Sequence, residues 1–361
     1  VNRKLQLRAL VYVLSFLPAL ASAQDIHYTQ FNNSPINLNP GLTGVFGGDG
    51  RLIVNYRSQW RSVPIPYTTF SGSAEAKFYP RKGDYSRFLT GGVSINNDEQ
   101  GSLHLKSMSV GIPLGATLPL GKSHYFSFGV IPALGQRNFD TNKNIAFDSQ
   151  WDGRMYNAAR PTNEDAILAV TNLKYFDLSA GFNLRLQSPK ARDRFDFGVA
   201  VHHINRPDHD FWSSKLVNSG NNRLYNKNTF YGIGLVQIDN NFDLLGSAMW
   251  QRQGAFRELV YGFGARFHLV TKQYQELALQ VGVNRRHYFN DALVPHLEFL
   301  WRTLTVGFTY DINWQPTVED INVAPPANAV ITSGRGGPEV SVIYRFYKVK
   351  PLPRFKTCPV M

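Results

Sequence analysis

From residue 304 to residue 314 apolar and polar side chains alternate without a break. Leu304, Val306, Phe308, Tyr310, Ile312 and Trp314 fall on one face of an extended chain, and Thr305, Gly307, Thr309, Asp311 and Asn313 on the other. A period of two predicts a β-strand with one apolar and one polar face. The pattern recurs: Phe176, Leu178, Ala180, Phe182, Leu184 and Leu186 oppose Asp177, Ser179, Gly181, Asn183, Arg185 and Gln187, and Phe195, Phe197, Val199 and Val201 continue it. Over the whole chain the alternation predicts roughly 14 strands between residues 51 and 348. The long connections, residues 138–173, 204–228 and 315–338, are all odd-numbered, whereas the even-numbered ones are short, such as residues 120–122 and 301–303. Short turns at the periplasmic rim, long loops outside and an even strand number are the pattern of an outer-membrane barrel.

Alternation alone also describes a soluble sandwich with its apolar face turned inward. The start of the chain decides between them. Arg3, Lys4 and Arg8 precede an apolar run over residues 9–20, and Ala21-Ser22-Ala23 then reads as a cleavage site, so residues 1–23 are expected to be a signal peptide. No other stretch approaches the ~20 apolar residues of a transmembrane helix. An exported chain of this pattern enters a membrane as a closed barrel, which satisfies its backbone within the sheet. The expected fold is therefore all-β, an antiparallel transmembrane barrel in the outer membrane spanning residues 51–348. Residues 24–50 precede it as a periplasmic or plug segment, and a periplasmic tail, 349–361, follows.

Composition agrees with this: 43% hydrophobic residues and 13% aromatic residues give a mean hydropathy of only -0.26, because lumen-facing polar residues dilute a lipid-facing set. The formal charge of +12 includes Arg3, Lys4 and Arg8 of the leader. Export removes nucleic acid from the expected partners and leaves the lipid bilayer among them. The lone Cys358 excludes an intramolecular disulfide framework. A barrel of about this strand number is too wide for side chains alone to fill, so a plug, a partner or a conducting path is expected.

Sites of chemistry are not apparent. The chain lacks Gly-x-Ser-x-Gly, His-Glu-x-x-His, P-loop and Cys-x-x-Cys spacings, so no enzyme activity and no cofactor are expected. Gly232-Ile-Gly234 and Gly262-Phe-Gly264 sit inside strands without a following helix and read as inward-facing glycines. His202 and His203 are neighbours on a strand, point to opposite faces and do not form a metal pair. Asp148, Asp152, Glu164 and Asp165 lack the spacing of a calcium loop and read as a solvated loop.

The mature chain opens Gln24-Asp25-Ile26-His27-Tyr28-Thr29-Gln30-Phe31, continues Ser34-Pro35-Ile36-Asn37-Leu38-Asn39-Pro40-Gly41-Leu42-Thr43-Gly44, and carries Tyr56-Arg57-Ser58-Gln59-Trp60 in its first strand. Farther on come His203-Ile204-Asn205-Arg206-Pro207, Gly337-Pro338-Glu339-Val340-Ser341-Val342 and Cys358-Pro359. In order and spacing these resemble the PorP/SprF family of outer-membrane proteins; Gly41 stands where that family more often has Ala. The resemblance implies a component of the type IX secretion and gliding machinery. Its implied partners are a secreted adhesin or other substrate with a type IX C-terminal domain, together with periplasmic and outer-membrane secretion subunits. The implied role is receipt of that substrate and support of its delivery or anchoring at the surface.

The residues expected to carry partner binding are Asn37, Asn39, Pro40, Tyr56, Arg57, Gln59 and Trp60, with Arg57 and Gln59 also candidates for holding the N-terminal segment. Pro35 and Pro40 restrict the residues before them to extended conformations, so that segment is expected to be non-helical. The alternative function is an outer-membrane porin or transporter for small solutes.

Overall fold

The computed structural model describes residues 25–348 apart from 60–66, 81–83, 101–103, 139–147, most of 151–171, 209–222, 272–275, 288–291 and 314–335. The leader, the tail with Cys358, Trp60, Trp314, Asp152, Glu164 and Asp165 lie outside the described residues.

Among the described residues sixteen strand segments follow one another: β1 (Gly50–Gln59), β2 (Tyr67–Phe78), β3 (Phe88–Gln100), β4 (Leu105–Gly111), β5 (Leu114–Leu120), β6 (His124–Asn138), β7 (Asn172–Gln187), β8 (Arg194–His202), β9 (Lys227–Gln237), β10 (Phe242–Gln253), β11 (Phe256–Val270), β12 (Leu277–His287), β13 (Ala292–Trp301), β14 (Leu304–Tyr310), β15 (Ile312–Asn313) and β16 (Pro338–Phe346). They make 14 strands, because β4 with β5 and β14 with β15 are each one strand interrupted without a change of register. Prolines cause both interruptions by withholding an N–H from the ladder. Pro113 lies between β4 and β5, with Pro132 of β6 accepting from Ile112 N at 2.9 Å, and Pro295 of β13 lies opposite the β14–β15 break.

Every pairing is antiparallel between sequence neighbours, and β16 pairs with β1 from Gly50↔Phe346 to Arg57↔Glu339, which closes the ring. Among the described residues no helix is long and apolar enough to cross a membrane. The barrel is apolar outside and polar inside. Phe308, Tyr310 and Ile312 are exposed while Thr305, Thr309 and Asp311 are buried, as the alternation requires. The exposed belt continues through Leu89, Phe176, Phe197, Phe263 and Leu297, whereas the buried set is dominated by Asn, Ser, Thr and charged side chains. That inversion of a soluble core is the solution for a barrel wall in lipid. Gly262 faces inward against Asn284, but Gly232 and Gly234 share the outward phase of Phe230 and Val236 and lie under Phe197 and Phe195. The inward orientation expected for that second pair is thus corrected: the chain places glycine beneath aromatic side chains of the neighbouring strand.

The lumen is not empty. Residues 25–49 run through it from the rim of the long connections, where Asp25 meets Lys227 and Gln253, to the rim of the short turns, where Asp49 N donates to Phe346 O at 2.7 Å.

Candidate functional site

The segment inside the barrel is built from short turns set by its prolines. Pro35 opens a single α-helical turn, α1 (Pro35–Leu38), and Pro40 opens a 3-10 turn over Pro40–Leu42. The expectation of a non-helical segment is corrected here. Asn39 before Pro40 is extended, with φ -158 and ψ 121, as a pre-proline residue should be. The prolines themselves, with φ fixed and no N–H to satisfy, are suited to the first position of a turn. Phe31, Leu38, Leu42 and Val45 of the segment pack against Tyr231, Met249 and Val260 of the wall, so a small apolar core sits inside an otherwise polar lumen.

At the long-connection rim Lys227 Nζ lies 2.5 Å and His203 Nε2 3.3 Å from Asp25 Oδ2, and His203 Nδ1 is 3.0 Å from Asp177 Oδ2. The strand ends at His202, and His203 takes a φ of 57°, which turns its ring back into the lumen. His202 also faces inward, with Nε2 3.4 Å from Leu38 O, so the opposite-face expectation gives way to a strand end where period two no longer holds. Burial opposes a charge on His203, but the carboxylates, Asp25 foremost, outweigh it and push the imidazole up to about 9. Because that value lies above the ordinary one, the anchoring is full at low pH and is lost as pH rises through the raised value. Protease protection of the first plug residues is expected to fall between about pH 8 and 10, and His203→Gln to remove that dependence. A flat profile in both proteins would disprove the anchor.

Below this rim Arg57 occupies the centre of a knot. Its Nη1 donates to His27 O at 2.5 Å and its Nη2 to Asp311 Oδ2 at 2.7 Å, while Nε lies 3.7 Å from Glu339 Oε2. Glu339 in turn accepts the backbone N–H groups of Thr29 at 3.0 Å and Gln30 at 2.9 Å, and Arg286 reaches Asp311 at 3.3 Å. Two cations and two carboxylates thus neutralise one another while charge-assisted hydrogen bonds grip the plug backbone. Asn33 continues the contact to Glu298 at 3.2 Å and Ser341 at 3.0 Å.

Midway down, Asn39 Nδ2 donates to Phe182 O at 2.8 Å and its Oδ1 accepts from Gly41 N at 2.7 Å. The wall has no room for side chains here: a Cβ on Gly129 would stand 1.9 Å from Pro40 O, and one on Gly181 1.9 Å from Asn39 Oδ1. These glycines are cross-strand partners, so the wall offers the plug a bare patch of backbone. At the short-turn rim Gly44 N donates to Glu75 Oε2 at 2.9 Å, Arg51 pairs with Glu75 at 2.7 Å, and Lys77 Nζ donates to Phe46 O at 2.6 Å while lying 4.6 Å from the Phe46 ring centroid.

The structure brings Asn37, Asn39, Pro40 and Arg57 together in this plug contact; Asn37 Nδ2 reaches Ser71 Oγ at 3.2 Å. Tyr56 is on the outer, lipid-facing side, Gln59 is half-buried at the end of β1, and Trp60 lies outside the described residues. Glu339, Glu75, Lys77, Gly129 and Gly181 complete the site and were not among the expected residues. Glu339 carried a signal: alternation puts a carboxylate on the inner face of β16 directly opposite Arg57.

No curated protein sequence matches the chain. Similar solved structures include the toluene transporter TbuX of Ralstonia pickettii, with 10% identity over 87% of this chain and 94% of that one at a TM-score of 0.47. A FadL homologue of Pseudomonas aeruginosa gives 10%, 86%, 93% and 0.47 in the same terms, and the toluene transporter TodX of Pseudomonas putida 6%, 89%, 94% and 0.49. The family model for the type IX secretion system membrane protein PorP/SprF matches residues 20–322. A closed barrel with an apolar outer belt, matched over most of its length by that model, places the chain in the outer membrane and makes it a member of the PorP/SprF family of type IX secretion proteins.

Proposed function

We propose that the protein receives an exported surface protein through that protein's C-terminal domain and supports its delivery or anchoring at the cell surface. The observation that carries this reading, beside family membership, is the filled lumen: residues 25–49 cross it from rim to rim and are bonded to the wall at each level. A stoppered barrel serves a partner better than it serves diffusion. Asn37, Asn39, Pro40 and Arg57 then act by holding the plug and the rim around it in shape. Gln59, at the end of β1, is the described member of the expected set positioned to meet a partner beyond the rim.

Deleting the gene is expected to leave at least one large surface protein undelivered while uptake of small solutes is unchanged. Comparing surface proteomes and solute uptake with and without the gene tests this. An intact surface proteome with a specific uptake defect would replace the secretion role with that of a porin or transporter.

A further inference from the structure

Beside the plug, on the side of β3, β4, β6 and β7, a crevice of about 120 Å³ descends from the long-connection rim. Its wall is polar. Asn96, Asp98 and Gln100 line it at successive inward positions of β3, and Ser109 and Ser107 stand opposite the first two on β4. Three alternate strand positions span about 13 Å, the reach of a short oligosaccharide. On the same wall Tyr175 lies over Gly135, the cross-strand partner it shares with Ser109, with the ring atoms covering the place where a side chain would stand and its side chain hydrogen-bonded to Ser107. One ring face is thereby used against the wall, and Tyr175 also lines the crevice.

Charges of both signs line it: Asp25 is paired with Lys227 at 2.5 Å and Asp177 with His203 at 3.0 Å, Asp98 accepts from the Thr69 hydroxyl at 2.6 Å and from the Gln100 amide, and Arg137 adds a further cation. An ion finds no strong field of one sign, and a hydrocarbon would strip water from carboxylates and amides without replacing it. A neutral molecule bearing many hydroxyls and one apolar face fits both surfaces, hydroxyls to the amides, carboxylate and serines, and the apolar face to the aromatic ring.

We propose that this crevice binds a neutral oligosaccharide entering from the long-connection rim, stacked on Tyr175 and hydrogen-bonded along Asn96, Asp98 and Gln100. The site is independent of the secretion role. The test uses the full chain folded in lauryldimethylamine oxide, a detergent without a sugar headgroup, titrated calorimetrically with maltotriose, cellotriose and mannotriose, and separately with toluene. Saturable binding of at least one trisaccharide is expected. It should weaken about tenfold or more in Tyr175→Ala, persist in Tyr175→Phe, and vanish in Ser107→Trp, which fills the crevice. Retention of the heat-dependent gel shift shows that each variant is folded. Absence of saturable binding by all three sugars, binding that survives both Tyr175→Ala and Ser107→Trp, or toluene bound in their place overturns the proposal.

Discussion

Arg57→Ala is expected to destabilise the folded protein by about 3–5 kcal/mol, the usual cost of removing one partner from a buried charge cluster. The change strands Asp311 and Glu339 inside the barrel, with only Arg286 left to offset them among the cations of this cluster. It also removes the donor that holds His27 O. Residues 25–33 should become accessible to protease, and the unheated barrel should lose its gel shift at a lower temperature than the parent. Arg57→Lys keeps the charge but not the fork geometry and should fall between them. Tyr56→Ala, one residue away on the lipid side, supplies the contrast: it leaves the knot untouched and should leave plug protection intact. Equal protease protection in Arg57→Ala and the parent would show that the knot does not secure the plug.

The second large effect is expected at the bare backbone patch. Gly129→Val places a β-branched residue in a strand, which the sheet tolerates well, but drives its Cβ into Pro40 O and the Pro40 carbonyl carbon. The overlap is with backbone, so no rotamer relieves it, and overpacking of this kind costs about 1–3 kcal/mol. The plug, not the wall, should yield. In planar bilayers the parent is expected to be closed and Gly129→Val to conduct, with the β-rich circular-dichroism spectrum preserved. Gly181→Val should do the same by meeting Asn39 Oδ1. Closed channels in both variants would mean that the plug adjusts around the added side chain.

The barrel was legible because its physics is periodic. Lipid on one side and a wetted lumen on the other impose alternation on every strand, and the parity of loop lengths then orders the strands around the ring. Pro113 and Pro295 did not obscure this, since each interrupts the ladder without shifting the register. The plug was half legible. Asn39 stands out as a polar group between the plug's prolines and Arg57 as a charge on the inner face of β1, but their partners Phe182, Tyr231 and Glu339 are more than a hundred residues away, and no local pattern joins them. Gly129 and Gly181 look like any other strand glycines until the neighbour that excludes a Cβ is in place. His203 was misread for a related reason: period two ends where the strand ends, and its φ of 57° is set by tertiary contacts.

The pairing of Arg57 with Glu339 across β1 and β16 also bears on how the molecule assembles. These two strands are the first and last of the barrel, so their ladder is the seam that turns an open sheet into a ring. The same two side chains grip residues 27–30. Zipping the seam and enclosing the N-terminal segment are therefore one event, and the segment serves as an internal mandrel around which the sheet is rolled. A chain lacking it must bring Glu339 to the seam without the backbone amides of Thr29 and Gln30 that it accepts here. Its open edges then persist longer, exposed to pairing with other chains and to proteolysis. Correct threading is in this way tested by the barrel itself, at the moment of closure, before any partner is met.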